Sequence, residues 1–336
     1  MTNVPLGIVI VNYKGVGDVL ECLESVFRSA WPVRVVVVDN DSGDGSSDAI
    51  EAWARGERDA PEPSPALAHL SRPPVVKPVA CVRLAEGDTQ PRADIALTII
   101  DARRNGGFAS GNNVGLRHLL ADPKLDFFWL LNPDTVVEPT AAGALVQQMA
   151  AIHRVGMCGT QVRFYHRPGH TQALNGQRFS TWTGQSRGIA ADAPVGVPYD
   201  PAVVARQTDY VLGASLAVSR PFLTTIGLME EGYFLYFEEI DWAFRNAGRF
   251  ATGFAHAAVI FHKEGGSIGS SSRKGGRSAL SEYYLLRSRH AFVRRFRPWL
   301  LPVHFGLSLA LIARRRLRGR GAQAAAMLRA LTGRAY

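Results

Sequence analysis

LGIVIVNYKGVGDVLECLESVFRSAWPVRVVVVDNDSGDGSSDAIEAWA, residues 6–54, decides the fold class. It opens with an uninterrupted apolar run, 6–11, and holds a second, β-branched run at 33–38. A strand apolar at every position needs cover on both faces, which a parallel sheet with helices on each side provides. Between the runs, Val19, Leu23, Val26 and Phe27 recur at helical spacing, so a helix is expected over 18–30. Asp18 with Glu21 has the form of a capping box. The second run ends in the turn cluster Asp39-Asn40-Asp41-Ser42, and 46–54 reads as another short helix. Strand, helix, strand, helix at this spacing predicts parallel βαβ units.

The same grammar continues downstream. Strands are expected at 95–100, 127–131, 210–218 and 257–261, and helices at 112–120, 141–152 and 238–246. Seven of the nineteen prolines fall within 56–94, which therefore reads as an irregular surface insertion. Residues 300–313 are apolar but too short to span a bilayer, and Arg314, Arg315, Arg316, Arg318 and Arg320 follow at once. That pairing suits a helix lying on an anionic membrane face. Its plainer reading is a docked helix with a solvated basic end.

Charge sharpens the division. The net charge is +9 over 336 residues. From residue 273 onward there are fifteen Lys and Arg against one acid, a net +14, so residues 1–272 carry −5. The basicity belongs to the tail, and a nucleic-acid surface is the wrong inference from it. The three cysteines, Cys22, Cys81 and Cys158, are far apart. A disulfide framework or zinc site is not expected, and a reducing cytoplasm is. The N-terminal apolar run reads as a buried strand and not as a signal peptide.

In an open parallel sheet, ligands bind beyond the carboxyl ends of the strands. Four polar clusters fall there: Asn12-Tyr13, Asp39-Asn40, the turn Arg103-Arg104-Asn105-Gly106-Gly107, and Asn132-Pro133-Asp134. Each alone reads as a turn; their recurrence at successive strand ends is the signal. No GxxxxGK[ST] is present, and no GxGxxG follows the first strand. Gly106, Gly107 and Gly111 would let the backbone approach a phosphate or sugar, or would simply form a flexible turn.

VIVNYKG, VVVVDNDSGDGS, RRNGGFASGNNVG, LLNPDT, YFLYFEEIDWAFR and FHKEGGS, in that order, resemble the family 2 glycosyltransferases of the GT-A fold, within it most closely bacterial rhamnosyltransferases. The resemblance covers about residues 4–270 apart from the 56–94 insertion. It implies an α/β domain with a mostly parallel central sheet flanked by helices. Residues 1–155 would bind the nucleotide sugar and 156–272 the acceptor; beyond the resemblance, 273–336 is expected to form a basic helical tail, with the two readings given above for its apolar stretch. The implied reaction is inverting transfer of a sugar, with L-rhamnose from dTDP-rhamnose the expected donor, to a glycan or lipid-linked glycan. The implied setting is the cytoplasmic face of the inner membrane.

The resemblance also implies roles. Tyr13 and Asp39 would hold the base, and Arg104, Asn105, Gly106 and Gly107 would line the donor pocket. Asn132 and Asp134 stand at the family's DxD motif, with Asn replacing the first acid. Asp134 and His262 would ligate a divalent metal, Mg²⁺ or Mn²⁺. Glu239 would be general base, where the family often has Asp. Glu238 and Asp241 complete the acidic cluster, Asp241 binding acceptor or supporting the loop. The chemistry is consistent: a cation neutralises the leaving diphosphate, and in-line attack needs a carboxylate to take the acceptor's proton. Two rival readings remain at this level: a sugar-nucleotide nucleotidyltransferase, and a non-catalytic nucleotide- or glycan-binding protein of the same fold.

Overall fold

The computed structural model describes residues 4–88, 94–264 and 277–336. Residues 89–93 of the insertion, 265–267 of the FHKEGGS motif and 273–276 of the tail lie outside the described residues. Strands β1 (Leu6–Asn12) and β2 (Val33–Asp39) flank helix α1 (Val16–Val26), and α2 (Ser46–Arg55) follows. β1 and β2 pair in parallel from Leu6 with Val33 to Asn12 with Asp39, so their carboxyl ends are level.

Within the predicted insertion, β3 (Cys81–Ala85) forms a fully paired strand, parallel to β4 (Leu97–Asp101). That overturns the wholly irregular expectation. Its two residue faces are only half buried, so no apolar pattern announced it. Helix α3 (Gly107–Leu120) starts five residues before the expected 112. Then come β5 (Phe127–Leu131), β6 (Thr135–Val137) and α4 (Ala141–Ala151).

The second half contributes β7 (Val155–Phe164), β8 (Arg167–Leu174), β9 (Gly176–Ser180), β10 (Gln185–Gly188), α5 (Pro201–Gln207), β11 (Tyr210–Val211), β12 (Ser215–Ser219), α6 (Arg220–Ile226), α7 (Glu238–Asn246) and β13 (Ala251–His262). The strand expected over 210–218 is two strands. Tyr210 pairs with Gln177 in a small sheet of β9, β10 and β11, whereas β12 enters the central sheet. The tail is helical: α8 (Ala279–Phe296), α9 (Leu301–Leu317) and α10 (Gly321–Leu331).

The central sheet runs β3-β4-β2-β1-β5-β12-β7-β13-β6, with β8 beside β7. From β3 through β5 it is parallel; β12 is antiparallel to both β5 and β7, and β13 is again parallel to β7. Leu6, Ile8 and Ile10 enter the core under α1, α2 and α4, while Val9 enters the opposite core under α3 and α6. The two-sided burial predicted from the unbroken apolar runs is what the packing shows. Each fully buried aliphatic side chain of this kind stabilises the fold by about 1.5–3 kcal/mol.

One local expectation fails. α1 begins after Gly15 with no side-chain cap, and Asp18 and Glu21 form no capping box. Both carboxylates instead receive the Lys263 ammonium, at 2.6 and 2.5 Å, from the end of β13. An ion pair across the sheet has displaced a local motif.

Candidate active site

The level ends of β1, β2 and β4 meet the start of α3. Asn12 Nδ2 donates to Asp39 Oδ1 at 2.7 Å, and Ser42 donates to both Asp39 oxygens, from Oγ at 2.6 Å and from its backbone N–H at 3.1 Å. Asn40 Nδ2 donates to Asn105 Oδ1 at 3.0 Å and to the Gly107 carbonyl at 3.1 Å. Asn105 Oδ1 also accepts the Gly107 N–H. Beyond these groups opens a cleft of about 340 Å³. Its floor carries Tyr13, Asn40, Asn105 and Gly107; Asn132, Asp134 and His262 close one end.

His262 Nε2 lies 3.1 Å from Asp134 Oδ1, both groups nearly buried. Gln172 Nε2 donates to Glu264 Oε1 at 2.9 Å, which turns Gln172 Oε1 toward His262 Nδ1, also at 2.9 Å. The amide orientation places a proton on Nδ1 and aims Nε2 at Asp134. Burial pulls the His262 pKa down, but the Asp134 charge and hydrogen bond outweigh it and leave it raised. Among the described residues no cluster of three or more His, Cys, Asp or Glu could by itself hold a metal. One carboxylate oxygen and one imidazole nitrogen fit a divalent cation whose remaining ligands are diphosphate oxygens and water. The mixed oxygen and nitrogen pair suits Mn²⁺.

The acidic residues of α7 differ sharply from one another. Glu238 is 1% exposed, and its Oε1 finds no hydrogen-bond partner among the described residues. Burial, and then the Glu239 charge, push its pKa well above the ordinary carboxyl range. Glu239 is half-buried, and burial lifts its carboxyl to about 6. Its carboxyl lies against Gly213, where a Cβ would collide with it. The next residue, Ala214, accepts the Asn132 N–H at 3.1 Å. The Glu239 carboxyl thus rests on the turn that holds the Asn132-Pro133-Asp134 backbone. Asp241 is wholly buried and fully engaged by Arg245 Nε at 2.5 Å, Tyr233 OH at 3.0 Å and Arg295 Nη1 at 3.0 Å.

The segment leading into α7 is strained. Phe234, Tyr236 and Phe237 have φ of 60°, 66° and 75°, unusual for bulky residues. At Phe234 the Leu235 N–H bonds to the Tyr233 carbonyl at 2.7 Å, a classical γ-turn. Helix α8 holds it: Ser288 Oγ donates to the Tyr233 and Leu235 carbonyls, Tyr236 bonds Ser281, and Phe234 stacks on Tyr284 at 4.5 Å. The Phe234 carbonyl in turn accepts the Phe108 N–H at 2.9 Å, over Gly107.

Comparisons with known proteins now bear on this arrangement. No family model matches the chain. Over 151 residues it is 24% identical to a low-salt glycan biosynthesis hexosyltransferase, Agl10, of Haloferax volcanii; the match covers 44% of this chain and 45% of that protein. The chain thus spans less than half the length of this curated relative. It superimposes on the mannosyltransferase PcManGT from Pyrobaculum calidifontis, solved with GDP-Man and Mn²⁺, with a TM-score of 0.52 and 14% identity over 97% of this chain and 86% of that one. On GalNAc-T7, solved with UDP, GalNAc and Mn²⁺, the TM-score is 0.54 at 12% identity, over 85% of this chain and 48% of that one. The chain has the GT-A fold.

In this GT-A domain the predicted residues separate into groups. Tyr13, Asn105, Gly107, Asn132, Asp134 and His262 border the one cleft. Asp39 sits beneath it, its oxygens taken by Asn12 and Ser42. Gly106 packs on Ser110, and Arg104 is exposed. Glu239 borders the turn beside Asn132, Glu238 is interior, and Asp241 is bound into a structural network. Phe108, Leu280 and Tyr284 on the cleft wall and Gln172 behind His262 carry no sequence signal of a site, whereas Phe234, also on that wall, belongs to the aromatic run around the acidic cluster. Leu280 and Tyr284 belong to α8, within the 273–336 segment that composition marks as a basic tail. A helical, basic character expected for the tail does not say what a helix packs on.

Proposed function

We propose that the chain is an inverting, metal-dependent glycosyltransferase taking a nucleotide-diphosphate sugar. The observation that carries this reading is the Asp134–His262 pair at one end of the cleft, with the Glu239 carboxyl on the turn that hydrogen-bonds Asn132. The GDP-Man and Mn²⁺ of one structure it superimposes on, and the UDP, GalNAc and Mn²⁺ of the other, support the same chemistry. Tyr13, Asn40 and Asn105 would receive the nucleoside. A divalent cation on Asp134 and His262 would neutralise the charge that grows on the leaving diphosphate. Glu239 takes the acceptor hydroxyl's proton as the oxygen bonds to the anomeric carbon. The electron pair of the old glycosidic bond departs on the β-phosphate, and the configuration inverts. Residues 156–272 would present the acceptor, a glycan or lipid-linked glycan. A lipid-linked acceptor would meet the enzyme at the cytoplasmic face of the inner membrane.

L-Rhamnose from dTDP-rhamnose is the donor the motif resemblance favours. The test is a donor screen with Mn²⁺: dTDP-rhamnose beside GDP-mannose and UDP-sugars, with the released product identified. Nucleoside diphosphate is expected, fastest from dTDP-rhamnose. Inert nucleotide sugars, with pyrophosphate instead formed from a nucleoside triphosphate and a sugar 1-phosphate, would make the protein a nucleotidyltransferase. Thermal stabilisation by nucleotides with no turnover of any donor, across a panel of acceptors, would make it a binding protein.

A further inference from the structure

Helix α9 is built inside out. Its polar residues face the protein. His304 and Ser308 are fully buried, His304 Nε2 meets the Thr181 carbonyl at 2.8 Å, and Arg289 donates to Ser308 Oγ at 2.6 Å. Arg315 makes a two-nitrogen contact with Glu282 Oε1 at 3.0 and 2.5 Å. Its apolar residues face outward: Phe305 is 49% exposed, Leu309 46% and Leu317 88%, and Trp299, just before the helix, is 67% exposed. With Val303 they occupy an arc of roughly 160° at 100° per residue. Large apolar side chains left in water forgo the stabilisation that burial would bring. Arg314, Arg316 and Arg318 stand exposed at the carboxyl end of the same helix.

We propose that this face of α9 lies on an anionic phospholipid bilayer, its axis parallel to the surface, with Trp299 at the headgroup level and the arginines on lipid phosphates. Among the described residues no helix is long and apolar enough to cross a membrane, and α9 spans only about 25 Å. Charge selects the occupant. The only acid beyond residue 272, Glu282, is already bound by Arg315. A second copy would bring the same uncompensated arginines to the interface, whereas anionic headgroups supply the missing countercharge. The net −5 of residues 1–272 would be repelled by that surface and would orient the molecule tail-down. This inference stands apart from the transfer reaction, since it needs neither donor nor metal.

Co-sedimentation of the full chain with vesicles tests it. Binding is expected to phosphatidylglycerol-containing vesicles and not to pure phosphatidylcholine, and to weaken with salt. Replacing Arg314, Arg316 and Arg318 by Ala should weaken it by about 100-fold, at about 1 kcal/mol per arginine. Phe305→Glu with Leu309→Glu should abolish it while the far-ultraviolet spectrum and thermal midpoint are retained. Brominated lipids should quench the wild type more than Trp299→Phe. Equal binding to neutral vesicles, or binding unchanged in the folded variants, would overturn the proposal. So would a dimer in sedimentation velocity that the Phe305/Leu309 variant converts to monomer.

Discussion

Glu238 and Glu239 are adjacent in sequence, yet burial sets them different tasks. Glu238 is interior and its pKa is pushed up by burial, so Glu238→Gln, close to isosteric, should change kcat little. Glu239→Gln should lower kcat by about 10²–10⁴-fold with nucleotide binding retained, as loss of a general base does. Because burial lifts Glu239 to about 6, kcat/KM should rise with pH through that value and level off above it. Stability runs the other way. A carboxyl whose folded pKa is raised favours the fold most below its unfolded pKa, near 4.5, and that advantage is lost as pH rises through about 6. Glu239→Gln should therefore gain in thermal midpoint over wild type at pH 8, with the gap closing toward pH 4.5. Asp134→Ala should remove the Mn²⁺-dependent part of nucleotide stabilisation in a thermal-shift assay; unchanged stabilisation would refute the metal assignment. Asn132-Pro133-Asp134 was legible in the sequence because a strand end constrains where such a turn points. For Asp241 the sequence left two roles open, acceptor binding or loop support, and could not choose, since its partners Arg245, Tyr233 and Arg295 come from three different elements.

Elements were legible where one periodicity governed them. β1, β2 and β4 carry nearly unbroken apolar runs because both faces are covered, and that is written in consecutive residues. Boundaries failed where a contact from elsewhere intervened. α3 begins at Gly107, at φ 86°, because the Phe234 carbonyl leaves no room for a side chain there. Gly111 faces Val11 so closely that a Cβ would sit 2.6 Å from its Cγ1. The glycines of that turn thus serve close packing within the chain. Gly111→Ala should cost about 1–3 kcal/mol by overpacking, read as a lower denaturant midpoint at unchanged m. Asp241→Ala, which leaves Arg245 and Arg295 without their shared carboxylate, should cost about 3 kcal/mol and show up first in stability.

Across the molecule, the divisions read from composition and those drawn by packing do not coincide. The sheet passes without a break from the first half into the second through β5 and β12. The tail begins as a wall of the cleft, through Leu280 and Tyr284, and ends in the basic, outward-facing α9. Charge composition located the tail's basic character, but a tally of arginines is silent on whether a neighbouring helix braces a loop.

The hydrogen bond from the Phe108 N–H to the Phe234 carbonyl ties the wall on which a nucleotide would settle to the loop that presents Glu239. Neither can swing aside without dragging the other. Kinetically this favours a compulsory sequence, first the nucleotide sugar and then its co-substrate. Product inhibition should record it: nucleoside diphosphate competing with the sugar nucleotide alone, and the glycosylated product competing with neither at saturation.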